Sequence, residues 1–313
     1  MLRALSIPMF SVTGALGQSL VGLLVWLLAI GVVQPGWAPS LLLFGPLVLF
    51  PPLLELASVH SAAVRWLAFL SFVPVIASYG LAQGIVASLL TLPWLAFALI
   101  FLAYRVRDEL QRSQYVFILI KGYLVVGAGW LVMARYGHRP LDFEHVIVHA
   151  TAVHFHYAGF TLPILAMQTA RHEPNARGQV MVGMLLLGMP LVAMGITLSQ
   201  FGVRWVECAG AWFLAAACLW FAIEQCRLAF RFRHAAIRCL LLLSSVGLLV
   251  AMSLALLYAT GNFLQTPWLD IPLMIRSHGP IQVFGFALPG VVAWSLAKHN
   301  GMMPLSGDGK WTG

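Results

Sequence analysis

Long apolar stretches alternate with short polar breaks along almost the whole chain, near 11–33, 40–58, 64–82, 85–104, 115–134, 145–169, 179–200, 205–226, 237–260 and 273–297. Each is close to the run of about 20 apolar residues that crosses a hydrocarbon core as a helix. The pattern therefore predicts ten transmembrane helices. Helix-ending signals punctuate it at Gln34-Pro35-Gly36, Gly137-His138-Arg139-Pro140 and Glu173-Pro174-Asn175. Pro51-Pro52 and Pro74 fall inside the second and third stretches and are expected to interrupt them. No break is long enough for a soluble domain, so one transmembrane helical domain over 1–313 is expected. No internal repeat stands out, which leaves an inverted-repeat transporter without support from symmetry. The first stretch is long, opens on Ser11-Val12-Thr13-Gly14 and lacks a small-residue cleavage site, so it reads as a span rather than a signal peptide.

Composition narrows the class. Of the 313 residues 61% are apolar and 9% are Asp, Glu, Lys or Arg, with a mean hydropathy of +0.90. Soluble domains carry about 25% charged residues, so this chain has too little charge to cover a water-facing surface. A disordered chain, a collagen and a disulfide scaffold are excluded, and the fold class expected is all-α, a polytopic transmembrane bundle. The four cysteines, Cys208, Cys218, Cys226 and Cys239, form no CxxC pair and read as small buried apolar residues.

The net charge of +8 is explained by topology. With the N-terminus inside, thirteen of the 18 basic residues fall on inner loops and tails, from Arg3 and Arg65 through the 105–112 and 227–238 clusters to Lys298 and Lys310. Arg135, Arg139 and Arg204 fall outside, while Lys121 and Arg276 lie within spans. This bias places both termini in the cytoplasm and suits a multi-pass protein of the bacterial inner membrane, its inner loops meeting anionic membrane lipids. No basic stripe with interleaved aromatics appears, so nucleic acid is not an expected partner.

Ionisable residues within a membrane are costly and mark candidate sites. The sixth span is richest, with Asp142, Glu144, His145, His149, Thr151, His154, His156, Tyr157 and Thr161 within or just ahead of it. At about 100° per residue, His145, His149 and His156 share one narrow stripe and His154 lies opposite. Both faces are expected to look into protein or a wet cavity, which makes the sixth helix central. The tenth span contributes Arg276, His278 and Gln282, preceded by Asp270, and Glu207 opens the eighth. By the charge pattern all of these gather in the outer half of the bilayer. Plainer roles exist for each: Glu144 and His145 as interfacial polar groups, Arg276 as a partner of Asp270 or snorkelling outward, Lys121 snorkelling or neutralising a carboxylate, and Glu55 with His60 near Arg65 as a pair that holds helix ends.

Two resemblances attach to these residues. Thr151-Ala-Val-His154-Phe155-His156-Tyr157-Ala-Gly-Phe160, with the later Trp268-Leu-Asp270-Ile-Pro272-Leu-Met and His278-Gly then Gly285-Phe286-Ala, resembles the YndJ-like family of bacterial membrane proteins from about residue 55 onward. That resemblance implies a membrane location and motif positions but no reaction; Pro280-Ile281-Gln282 stands where a more Asn-containing stretch is expected. His154-Phe-His156-Tyr157 is also similar to the haem-ligating segment of haem-copper oxidase subunit I, although the oxidase's His-His copper pair is absent.

Three functions compete at this stage. The first is a membrane enzyme acting on a lipid or isoprenoid-like substrate without a cofactor. In it, His149, His154 and His156 act as acid or base, Glu144, Asp270 or Glu207 orient them, and Arg276 or His278 steadies negative charge. Tyr157, Thr161, Gln282 and Glu207 would line the pocket for a hydrophobic small molecule. Imidazole suits proton transfer because its pKa of about 6.5 lies near neutrality. The second is a haem or divalent-metal site on His149, His156 and His278. The third is a proton-coupled transporter.

Overall fold

A computed structural model describes residues 14–112, 114–172 and 176–302. Arg3, Lys310, Ser11-Val12-Thr13 and the expected break at Glu173-Pro174-Asn175 lie outside these residues. Ten helical runs follow the ten apolar stretches: α1 Ala15–Val33, α2 Trp37–Leu56, α3 Ala62–Tyr79, α4 Ile85–Gln111, α5 Tyr115–Tyr136, α6 at 145–172, α7 Ala176–Ser199, α8 Arg204–Ala229, α9 Ala235–Phe263 and α10 Ile271–His299. There is no strand among the described residues. Nine of these helices are long and apolar enough to cross a membrane; the tenth run, α6, is the one that carries His145, His149, His154 and His156.

The prolines do not break α2 or α3 as expected. Pro74 sits inside α3, which continues to Tyr79. In α2 a π turn at Gly45–Leu49 comes just before Phe50-Pro51-Pro52, and the helix then runs on to Leu56. The same order recurs twice. In α6 the π turn Tyr157–Thr161 precedes Leu162-Pro163, and in α10 the π turn Ile281–Ala287 precedes Leu288-Pro289. A proline has no N–H for the carbonyl four residues back, and its ring crowds that carbonyl. Here those carbonyls belong to Leu47, Gly159 and Gly285, each inside a π turn, so the ladder widens locally instead of ending.

α4 outruns its expected end at 104. It breaks at Arg105, which adopts a left-handed φ of 59°, and resumes as the short helix Val106–Gln111. That piece presents Glu109 to Lys121 of α5, 2.6 Å away, and Lys121 also donates to the Tyr104 carbonyl at 2.8 Å. Lys121 thus neutralises a carboxylate and does not snorkel. Among the cysteines, Cys218 is buried as expected but Cys239 is exposed; all four are free.

The chain divides into two compact units. One comprises the chain up to Gln111 together with Lys121–His156; the other comprises Arg112–Ile120 and the chain from Tyr157 onward. In the first, α2 is the most buried of the nine apolar helices and packs against α1, α3 and the first half of α6. In the second, the latter half of α6 packs against α7, α8 and α10, and every residue from 159 to 170 is buried. The α6 run is split between units where its α-helix gives way to the π turn.

Candidate functional site

In the first unit the histidine stripe runs from surface to core. His145 is exposed, His149 half-buried and His156 buried, as one helical face entering protein requires. His154, opposite, is exposed, with Nδ1 2.7 Å from the carbonyl of Ala150 one turn back. The helix's own backbone satisfies this nitrogen.

His149 meets α3. Its Nε2 lies 3.4 Å from the Tyr79 hydroxyl, and the rings meet edge to face. The other side of this tyrosine carries a cation: the Arg135 guanidinium sits 4.7 Å from the ring centre. Arg135, which the charge pattern assigns to an outer loop, is only 8% exposed. Its Nη2 donates to the carbonyls of Ser78 and Leu81, at 2.7 and 2.8 Å, at the end of α3, where the Ser78 carbonyl also takes the Leu81 N–H at 3.2 Å. Its Nε has no partner among the described residues. The Gly84 N–H to Arg135 carbonyl bond and the Gln83 side chain's bond to Ala134 hold the end of α5 against this turn. Arginine, tyrosine and histidine so form one continuous contact, combining a fixed positive charge, a hydroxyl and an imidazole.

His156 is placed differently. Its Nε2 accepts from the indole N–H of Trp94 at 2.9 Å, and its Nδ1 lies 2.7 Å from the Ala152 carbonyl. Room for the ring comes from Gly127 of α5, where any Cβ would stand 2.9 Å from Nδ1. Tyr79, Trp94 and Arg135 were not singled out by sequence. Arg135 stands two residues before the Gly137 stop, inside the last turn of an apolar run, and that position was the available signal.

In the second unit the two π turns are in contact. They carry three residues expected at the substrate pocket: Tyr157 and Thr161 in α6, and Gln282 in α10. Both turns lead into the same pattern, Gly159-Phe-Thr-Leu-Pro163 and Gly285-Phe-Ala-Leu-Pro289, a local repeat that a search for longer repeats passes over. α9 seats the second turn. Ser244 donates to the Phe286 carbonyl at 2.9 Å, and Gly247 lies so close to the Gly285 carbonyl that no Cβ fits between them. His278 Nδ1 is 2.9 Å from the Ala251 carbonyl, and Gln282 makes a long 3.7 Å contact to the Met252 sulfur. Glu207 is buried and accepts from Asn262 at 2.6 Å. Asp270 caps α10 by accepting from the Leu273 N–H at 2.7 Å, and the exposed Arg276 forms no ion pair among the described residues. Glu144 is exposed just ahead of α6.

His149 and His156 thus belong to the first unit, and His278 and Arg276 to the second. Among the described residues no three His, Cys, Asp or Glu side chains group as a metal site would need.

A family model described as YndJ-like protein matches residues 40–286, a range that runs from within α2 to within the π turn of α10 and contains α3 to α9. The chain is 29% identical over 191 residues to "Uncharacterized membrane protein YndJ" of Bacillus subtilis (strain 168), an alignment covering 60% of this chain and 33% of that protein. The chain thus spans about a third of the length of the relative it matches. No solved structure matches it. With multiple apolar helices and a family match over most of its length, this is a multi-pass membrane protein that belongs to the YndJ-like family.

Proposed function

We propose that the protein is an integral membrane enzyme acting on a lipid or isoprenoid-like substrate by acid/base chemistry, with His149 and Tyr79 as the proton-transferring pair. Its place is the bacterial cell membrane, the inner one where there are two. The observation that carries this reading is the Arg135–Tyr79–His149 contact within the first unit. A tyrosine hydroxyl that gives its proton to a substrate becomes an anion, and a guanidinium against its ring face stabilises that anion. The imidazole takes a proton from another carbon of the substrate and, as imidazolium, passes it to the tyrosinate, which restores both groups. In a double-bond isomerisation the proton added at one carbon balances the proton removed from another, so no redox partner is needed.

Full-length protein reconstituted with bacterial lipid extract in deuterated water tests this. Expected is deuterium at carbon in one lipid class, read by mass spectrometry, and its loss in Tyr79→Phe and His149→Ala. Equal labelling by wild type and both variants, or no labelled lipid at all, overturns the assignment.

A further inference from the structure

The strongest unassigned feature lies at the far end of the second unit from its π turns. A cavity of about 320 Å³ opens there between the ends of α6, α7 and α8. Among the described residues its wall holds Arg177, Arg227 and Arg231 and one carboxylate, Glu224, which is bound to Arg227 at 2.9 Å. Trp220 and Met181 add an apolar side. Thr169, 4% exposed, also lines it, and its buried hydroxyl has no hydrogen-bond partner among the described residues. A buried hydroxyl without a partner is costly, and this one stands on the wall of a cavity rimmed by guanidinium groups.

We propose that this cavity binds a phosphate ester, taking the phosphate oxygens with Arg177, Arg231 and the Thr169 hydroxyl. The charge favours an anion, since three guanidiniums face one carboxylate. Arginine forks match tetrahedral phosphate oxygens through paired N–H donors. The hydroxyl supplies a neutral donor at the depth a buried oxygen would reach. Trp220 and Met181 would cover the first carbons of an ester, so a lipid headgroup and a soluble phosphate compound share the recognised chemistry. The three arginines also belong to the loops that the charge pattern assigns to the cytoplasm, where basic pockets between helices meet anionic headgroups. This inference does not depend on the proton-transfer reading, whose residues all lie in the first unit.

The test uses the purified full chain in two arms. Native mass spectrometry counts phosphatidylglycerol retained against phosphatidylcholine, and thermal unfolding in detergent is followed as inorganic phosphate is added. Expected is a preference for phosphatidylglycerol that falls at least about tenfold in Arg177→Gln/Arg231→Gln, since the loss of even one good charged contact implies that much. A smaller fall is expected in Thr169→Val, and none in Arg233→Gln, an exposed neighbour outside the cavity wall. If the natural ligand is soluble, inorganic phosphate raises the unfolding temperature of wild type and not of the double variant, without lipid preference. Both arms support the site and name its source. If neither probe separates wild type from the double variant while circular dichroism shows unchanged helicity, the proposal is wrong.

Discussion

Trp94 donates its indole N–H to Nε2 of His156 across 2.9 Å, with the two rings stacked at 5.8 Å and 20°. An indole nitrogen only donates, so Nε2 is the acceptor and the ring proton sits on Nδ1, directed at the Ala152 carbonyl. The bond thereby selects one neutral tautomer. Trp94→Phe keeps the ring stack and orphans Nε2, with an expected loss of about 1–2 kcal/mol in unfolding free energy in detergent. Nitrogen-15 NMR of labelled histidine should show a Nδ1–H tautomer in the wild type. A Trp94→Phe protein as stable as wild type would assign the bond no structural weight.

Arg135 and Tyr79 should separate stability from activity. Arg135→Gln removes two charge-assisted bonds to the end of α3 and is expected to cost about 2–3 kcal/mol. Arg135→Lys keeps the charge but loses the fork that reaches both carbonyls, and should fall between. Tyr79→Phe keeps the ring under the guanidinium and loses only the 3.4 Å contact to His149, so its stability should change by less than about 1 kcal/mol. On the proposed chemistry the same variant should nevertheless lose lipid labelling. Denaturation curves and the deuterium assay, run on one preparation, check both halves.

The Lys121–Glu109 pair gives a test by rescue. Both side chains are largely buried, and removing one partner leaves an uncompensated charge. Lys121→Met and Glu109→Leu are each expected to cost about 3 kcal/mol, and the double variant less than either. A double-mutant cycle on unfolding free energies measures the coupling; additive costs would mean that the two charges are held independently.

The positions of the helices were legible in the sequence because the spans depend on local hydropathy, which short polar breaks punctuate clearly. The shared face of His145, His149 and His156 was legible too, since it needs only the helical period. Contacts between helices were not. Arg135 looks like a loop charge until the end of α3 offers it carbonyls, and Trp94 looks like an interfacial anchor until His156 meets it. Pro51 and Pro52 read as breaks because a proline removes a bond. That the ladder can widen around the missing donor depends on the packing of its neighbours. Glu207 and Asp270, read as candidates for chemistry, are held by Asn262 and at a helix start, partners that single-residue reasoning does not supply.

Two glycines on α5 offer the sharpest comparison. A methyl group added at Gly127 would lie 2.9 Å from His156 Nδ1 and 3.0 Å from the Phe155 Cβ, whereas one added at Gly129 meets nothing within 4 Å. Both positions are helical, so Gly→Ala gains helix propensity equally, by up to about 1 kcal/mol. At Gly129 that gain should appear undiminished. At Gly127 it must be set against overpacking of about 1–3 kcal/mol, because Phe155 and the doubly bonded His156 ring have little freedom to withdraw. Gly127→Ala should therefore unfold at a lower temperature than wild type, and Gly129→Ala at an equal or higher one. If Gly127→Ala matched Gly129→Ala, then α5 and the first half of α6 would be looser than the hydrogen bonds of His156 require.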